Sequence, residues 1–375
     1  MPDTADAPGA IADHGHRPRI RTRGAGSTMT IEHFLSMSQE QLLRLLRRRV
    51  WLHEKLQPTD WQATLLWAAL AGFLGALAAL IFTGFTEGVH ELLTGSRAGI
   101  VETMRLLPSW AVVLVPGLGG LLARLVLHFG KRVLPGQSST DYMEAILIGS
   151  GRIPIRASMV KCAAALFSIG SGGSIGREGP MVQLAAVVSS WVGRWRKFTV
   201  PQQRLLVACG AASGIASAYN APIGGSFFVA EIILGSIAME SLGPLVVSAV
   251  AATLTIRSLT NVAQLYQVPP YRMNSLWEMG LFVALGLIVG TVSPWFLRSL
   301  RRSEKFFVGL PLPLIARLGL GGLGVGVAAV YIPEVCGNGY TVVVSILRGE
   351  FVWTTLVLIF VCKWLATALS FGSGA

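Results

Sequence analysis

Charged residues are scarce in this chain of 375 residues. They make up 13% of it, whereas soluble domains contain about 25%, and acidic side chains are the rarer sign, with 19 Asp and Glu against 31 Lys and Arg. Hydrophobic residues make up 52% of the sequence, and its mean hydropathy is +0.59. These values exclude an ordinary soluble domain and indicate an integral membrane protein.

Cysteine and the usual catalytic motifs are also scarce. The four cysteines form no CxxC pair, so we interpret them as small hydrophobic residues. The sequence contains no HExxH, no GxSxG and no phosphate loop ending in Gly-Lys-Ser/Thr. We therefore predict no metal, no cofactor and no enzymatic activity. The competing hypothesis, an intramembrane hydrolase, needs a nucleophile and a base that face each other at membrane depth, and the sequence specifies no such pair.

Long apolar runs are abundant, and they predict an all-α, multi-pass membrane protein embedded in a lipid bilayer. Several approach the roughly 20 residues that a spanning helix requires. The runs cover residues 61–82, 110–128, 242–256, 281–297, 314–332 and 352–370.

Basic residues cluster before the first apolar run. They occur in HGHRPRIRTR and again in LLRLLRRRV, and positive charge beside a first span favours retention on the cytoplasmic side. We therefore attribute the net charge of +12 to membrane topology and predict no nucleic-acid partner. The sequence predicts a cytoplasmic N-terminal tail over residues 1–56 and a transmembrane domain over residues 57–375. Within the tail, residues 31–56 suit either an interfacial helix or a solvated one.

Glycine, serine and proline interrupt the short apolar segments between residues 153 and 234. GSGGSIGREGP (170–180) is one interruption, and ACGAASGIASAYNAPIGG (208–225) is the next. Irregular backbone at membrane depth persists only where protein buries it or a wet cavity satisfies its polar groups. Half-length helices that meet at such breaks indicate a transport site near the midplane.

Glu178 is the strongest candidate for a functional residue. Pro180 suits a first helical turn and an apolar run follows it, so a helix is predicted to begin here. The free N–H groups of a helix start attract anions. A carboxylate at the same place can occupy the anion's position and leave when protonated. We predict that Glu178 is a gate and that Gly176, Arg177 and Gly179 line the anion site; a helix-capping role for Glu178 is the alternative.

Other ionisable residues fall within or beside the interrupted segments, where charge indicates function by default. Each also has a structural interpretation: snorkelling or pairing for Lys161, donation to backbone carbonyls for Arg177, and a buried structural partnership for Glu231. The residues that we predict along the pathway are Lys161, Tyr219, Asn220, Pro222 and Glu231.

GREGP (176–180) resembles a signature of the CLC chloride channels and proton–chloride antiporters. YNAPIGG (219–225), DYMEA (141–145) and CGNGY (336–340) match further segments in family order, the last two in the manner of the bacterial ClcB-type branch. The resemblance, over about residues 60–375, implies a CLC-type fold of tilted and discontinuous helices with an inverted repeat. It also implies a homodimer in the bacterial inner membrane, chloride as the permeant ion, and Glu178 as the gating glutamate.

The chain departs from the family pattern at two positions that affect selectivity and coupling. Counting back from DYMEA places GQSST (136–140) on the family's first signature, so Gln137 takes the position of a chloride-coordinating serine and Ser138 lies one residue away. GSGRIP (149–154) is then a linker. Ile232 lies where the antiporters carry a proton-passing glutamate, which implies passive anion conduction; proton–chloride antiport is the alternative.

The resemblance also reaches FGSGA (371–375), which matches only the first residues of a longer family segment that binds the central anion. It implies an incomplete second repeat, and we expect that a chain ending at Ala375 does not conduct chloride alone; a nonfunctional truncated subunit is the corresponding alternative. Segments near 223–256 are rich in small residues, which favours either a dimer face or lipid contact.

Overall fold

The computed structural model describes residues 60–133, 141–234, 239–260, 275 and 277–374. The predicted tail (1–56) and two predicted anion-site residues, Gln137 and Ser138, lie outside these ranges. Every regular element within the ranges is a helix, in agreement with the predicted all-α class.

The first half of the described chain forms a series of helices whose lengths vary widely. They are α1 (Asp60–Thr94), α2 (Ile100–Leu106), α3 (Ser109–Val133), α4 (Tyr142–Leu147), α5 (Ile155–Gly170), α6 (Glu178–Trp195) and α7 (Val200–Tyr219). The predicted linker GSGRIP forms the connection between α4 and α5.

The second half continues the same pattern of long and short helices. It contains α8 (Pro222–Phe228), a π-helical turn (Val229–Ile233), α9 (Met239–Thr260), α10 (Trp277–Gly309), α11 (Leu314–Tyr331), a 3-10 turn (Pro333–Val335), α12 (Tyr340–Leu347) and α13 (Trp353–Ser373).

Five of the described helices are long and apolar enough to cross a membrane: α1, α3, α9, α10 and α13. They coincide with five of the six predicted runs. The sixth run, 314–332, forms α11, whose apolar part, Ile315–Tyr331, is shorter. The short helices α8 and α12, and α6 with its start at Glu178, account for the discontinuous character that the Gly and Pro breaks predict.

Small residues allow α1, α6, α7 and α9 to pack closely in one core. Gly210 and Gly214 of α7 face α6, where a Cβ on Gly214 would lie 2.7 Å from the Cα of Val182, and one on Gly210 would lie 2.7 Å from the carbonyl oxygen of Ala185. Such distances leave no room for a side chain. The core is therefore built on backbone contact, as is common between membrane helices.

The packing of α3 against α11 also depends on glycine. A Cβ on Gly322 would lie 2.1 Å from the carbonyl oxygen of Pro116, and one on Gly326 would lie 2.6 Å from the Cα of Val113. The helix α10 differs, because no residue of its apolar window is buried. Its apolar surface therefore faces outward, where lipid or a partner subunit can cover it.

Candidate functional site

The α6 helix begins at Glu178, with Arg177 as its N-cap, so the predicted helix start at GREGP is confirmed. No side chain caps this end of the helix. The N–H groups of Glu178 and Gly179 lie in the first turn, where a helix offers no carbonyl acceptor, and Pro180 has no N–H at all. Since Gly179 is exposed, this end of the helix is open to a ligand.

The segment between α5 and α6 is fixed by contacts with distant helices. The backbone N–H of Ser174 donates to Ser370 Oγ at 3.2 Å, and the Ser174 hydroxyl lies 3.1 Å from that of Thr367. On the other side, His90 Nδ1 lies 2.8 Å from the carbonyl oxygen of Gly170. Gly172 adopts a φ of +94°, which favours glycine. The helix start is therefore held in place by α1 and α13.

The Glu178 carboxylate folds back over Gly176 and is held there by a tyrosine. Its Oε1 accepts a hydrogen bond from the hydroxyl of Tyr340 at 2.5 Å. Its Oε2 lies so close to Gly176 that a Cβ on that residue would be 1.8 Å away. The glycine of GREGP therefore makes room for the gating candidate itself, in addition to any room it makes for an anion.

Tyr340 is the residue around which the predicted site assembles. It begins α12, directly after Gly339, whose φ is +87°. The guanidinium carbon of Arg177 lies 5.6 Å from the centre of its ring, within the range of cation–π attraction. Tyr219 packs edge-on against the same ring, with the ring centres 6.3 Å apart. Tyr340 thus brings together three residues that the sequence places in the site: Arg177, Glu178 and Tyr219.

A lysine in the middle of α13 holds the loop that presents Tyr340. Lys363 Nζ donates to the carbonyl oxygens of Val335 and Gly337, at 2.8 and 2.6 Å. The N–H of Gly337 in turn points to the carbonyl oxygen of Gly172, at 3.4 Å, and so joins the Tyr340 loop to the loop before Glu178. Neither Tyr340 nor Lys363 is among the site residues that the sequence predicts. The available signals were a lysine inside an apolar run and an aromatic residue after a second glycine-rich break.

Lys363→Met is expected to loosen this loop and destabilise the fold, because two carbonyl oxygens lose their donor. Each unsatisfied buried acceptor costs about 1–3 kcal/mol, so we expect the melting temperature in detergent to fall by several degrees. The matched control is Lys305→Met, which removes an exposed lysine from α10. Equal melting temperatures for the two variants would contradict the clamping role of Lys363.

The remaining predicted pathway residues lie on other elements. Asn220 ends α7 in the left-handed conformation, with φ +53°, and its Oδ1 accepts a hydrogen bond from Arg257 Nε at 3.1 Å. Pro222 begins α8. Lys161 is exposed on α5, and Glu231 is exposed in the π-helical turn of the single chain. The described contacts of Glu178 bring in neither Pro222 nor Glu231.

A group of membrane-spanning helices with a helix break and a carboxylate at its opening is typical of multi-pass membrane proteins that move ions. The family model for the voltage gated chloride channel matches residues 118–375. The chain is 46% identical, over 314 residues, to a ClcB-like chloride channel protein of Ralstonia nicotianae, with 82% of this chain and 73% of the relative covered. It is 38% identical to the voltage-gated ClC-type chloride channel ClcB of Citrobacter koseri, with 82% and 75% covered. The chain therefore belongs to the voltage gated chloride channel family, as its motifs indicate.

Solved structures confirm the CLC-type fold. The structure of a slow cyanobacterial Cl⁻/H⁺ antiporter matches with a TM-score of 0.70 at 23% identity, covering 83% of this chain and 74% of that one. A CLC-type fluoride/proton antiporter matches with a TM-score of 0.67 at 21% identity, covering 84% and 77%. At such identities the likeness concerns the fold alone. The curated relatives are named as channels and the solved ones as antiporters; none of these names describes an enzyme.

Proposed function

We propose that this protein conducts chloride passively across the bacterial inner membrane and that Glu178 is its gate. The observation that carries the proposal is the position of the Glu178 carboxylate at the open start of α6, where the Tyr340 hydroxyl holds it. A negative group that rests at a helix start occupies the place where the N–H groups and the helix dipole attract an anion.

The charge state of Glu178 then decides whether an anion can enter. The deprotonated carboxylate competes with chloride for the same positive potential. A proton removes its charge and weakens the hydrogen bond from Tyr340, so that the side chain can swing away and chloride can take its place. The donors left behind are uncharged backbone N–H groups, which suits conduction because a permeant ion must also leave.

Tyr340 and Arg177 set the resting position of the gate. A hydrogen bond to a charged group contributes about 1.5–3 kcal/mol, so the Tyr340 hydroxyl holds the Glu178 carboxylate over the helix start. Arg177 adds positive potential beside the anion site while it stacks on the Tyr340 ring. The arginine therefore attracts the anion without having to bind it directly.

Ile232 supports conduction without proton coupling. It occupies the position at which the family's antiporters carry an inner glutamate, and its side chain is 54% exposed. An isoleucine has no group that can accept or release a proton. Proton–chloride antiport is the alternative; the solved structures that share the fold are named as antiporters, but at their identities they bear on the fold alone.

The full-length protein, reconstituted in vesicles with an outward chloride gradient, is expected to move chloride without uphill proton movement. A pH-sensitive dye inside the vesicles and a chloride electrode outside measure both fluxes together. Ile232→Glu tests directly whether a glutamate at this position is what proton movement requires. Glu231→Gln, at the neighbouring position, is the control. Robust proton pumping driven by chloride in the unaltered protein would overturn passive conduction and establish the antiporter alternative.

The assembly that we propose is a homodimer with a cytoplasmic N-terminus. Apolar side chains from α8 to α9 remain exposed in the single chain, including Ile223, Phe227 and Leu254. A second copy of this chain would bury them, and lipid contact is the alternative. Cross-linking in native membranes through cysteines introduced at Ile223 and, for comparison, on α10 at Leu285 distinguishes the two surfaces.

A further inference from the structure

A basic cleft lies at the turn between α6 and α7, at the opposite end of α6 from Glu178. Its volume is about 510 Å³, and its lining includes Arg152, Arg194, Lys197, Phe198 and Gln203. The lining contains three cations and no carboxylate. The length of α6 separates this cleft from Glu178 by roughly 25 Å, so the gate makes no use of it.

The positive charge of the cleft is not neutralised by the described part of the chain. Arg194 Nε donates to the carbonyl oxygen of Ser190 at 3.3 Å, but its Nη2 is buried and has no hydrogen-bond partner. Arg152 lies within electrostatic range of Arg194 and repels it. A buried guanidinium N–H without an acceptor costs free energy. An anion bound between the two arginines would supply the acceptor and offset the repulsion.

The backbone around the cleft is held firmly by hydrogen bonds. Gln203 Nε2 donates to the carbonyl oxygens of Gly151 and Ser190, both at 3.0 Å, and so ties the linker before α5 to the end of α6. Lys197 adopts a left-handed φ of +55°, and Thr199 forms a capping box with Gln202 at the start of α7. The three cations therefore converge from fixed positions rather than from a flexible loop.

The aromatic residues beside the cleft are of the kind that is enriched at the level of the lipid headgroups. Arg196 stacks over the ring of Trp67, with its guanidinium carbon 5.0 Å from the ring centre, and Trp195 next to it is 69% exposed. Tryptophan is enriched where a membrane protein crosses the membrane–water interface. Apolar Phe198 and Val200 line the same cleft, beside the cations.

From this combination we propose that the cleft binds the phosphate of an anionic phospholipid headgroup. Arg152, Arg194 and Lys197 would hold the phosphate oxygens, and Phe198 and Val200 would contact the adjoining glycerol and acyl carbons. Basic pockets between membrane helices are suited to such headgroups. The proposal goes beyond anion conduction and does not depend on Glu178.

The test compares lipids that share acyl chains but differ in headgroup. Phosphatidylglycerol added to the full-length protein in detergent is expected to raise its melting temperature by about 5 °C at saturation. Phosphatidylcholine and diacylglycerol are expected to give less than half that rise. The double variant Arg152→Gln/Arg194→Gln is expected to lose the difference between lipids. Arg298→Gln, which removes an exposed arginine beside Trp295 on α10, is the matched control and is expected to keep it.

Three results would overturn the proposal. The first is an equal effect of phosphatidylglycerol on the double variant and the unaltered protein. The second is a rise with inorganic phosphate as large as that with lipid, which would identify a soluble phosphate ligand instead. If the double variant does not fold, Lys197→Asn serves in its place, because asparagine tolerates the left-handed backbone. The third is then retention of phosphatidylglycerol by Lys197→Asn, in native mass spectrometry, at the level of the unaltered protein.

Discussion

Glu178→Ala and Glu178→Gln are both expected to raise chloride efflux from vesicles at neutral pH, on the order of tenfold, and to remove its activation by acid. The physical reason is that neither side chain carries a negative charge that can compete for the helix start. Both variants lose the charge-assisted hydrogen bond from Tyr340. Such a bond contributes about 1.5–3 kcal/mol, which corresponds to about tenfold or more in the ratio of closed to open protein. The measurement is halide efflux from vesicles across a series of pH values.

Tyr340→Phe separates the proposed gating role of Glu178 from the effect of the hydrogen bond that holds its side chain. The ring and its contacts with Arg177 and Tyr219 remain, but the hydrogen bond to Glu178 is lost. Because that bond holds the carboxylate over the start of α6, its loss should free the side chain and raise chloride efflux at neutral pH. Tyr219→Phe, which removes a hydroxyl from the neighbouring ring, should leave the efflux at neutral pH unchanged.

The results for Glu178 and Tyr340 distinguish a failure of the gating role from a failure of the hydrogen bond to hold the side chain. Efflux that keeps its acid activation in Glu178→Gln would refute the gating role altogether. Loss of activation in Glu178→Gln together with unchanged efflux at neutral pH in Tyr340→Phe would support the gating role of Glu178 and refute the holding role of the Tyr340 hydroxyl. The double variant Glu178→Gln/Tyr340→Phe should show the same efflux as Glu178→Gln alone, because the Tyr340 hydroxyl has no charged partner once Glu178 is replaced.

The helix start at Glu178 could be predicted because its causes are local. Glycines before it, a proline in its first turn and an apolar run after it follow one another directly in the sequence. The same holds for the spanning helices, whose length and hydropathy need no tertiary information. Glu178 could therefore be placed at the start of a helix without knowledge of what surrounds it.

The surroundings of Glu178 could not be predicted, because they come from distant parts of the chain. Tyr340 is 162 residues from Glu178, and Lys363 reaches the carbonyl oxygens of a loop 26 to 28 residues before it. No local pattern pairs such residues. Asn220 illustrates the reverse case: a motif residue proposed for the pathway adopts the left-handed conformation that ends α7, which is a sufficient structural reason for an asparagine at that position.

Gly322→Ala is expected to destabilise the whole membrane domain, although it adds one methyl group. That methyl would lie 2.1 Å from the carbonyl oxygen and 2.6 Å from the carbonyl carbon of Pro116, and backbone atoms cannot move aside as the end of a side chain can. Overpacking costs about 1–3 kcal/mol even where side chains can adjust, so α3 and α11 must separate at a cost near or above the top of that range. We expect a fall in melting temperature of about 10 °C.

Gly290→Ala on α10 is the matched control for this effect. It makes the same substitution in a long apolar helix, but nothing lies within 4 Å of the added carbon. Alanine is the better helix former by about 1 kcal/mol, so this variant should be as stable as the unaltered protein or slightly more so. Thermal unfolding followed by size-exclusion chromatography in detergent measures both variants. A Gly322→Ala protein as stable as Gly290→Ala would contradict the close backbone contact between α3 and α11, and with it the packing that positions α13 and Lys363 beside the Tyr340 loop.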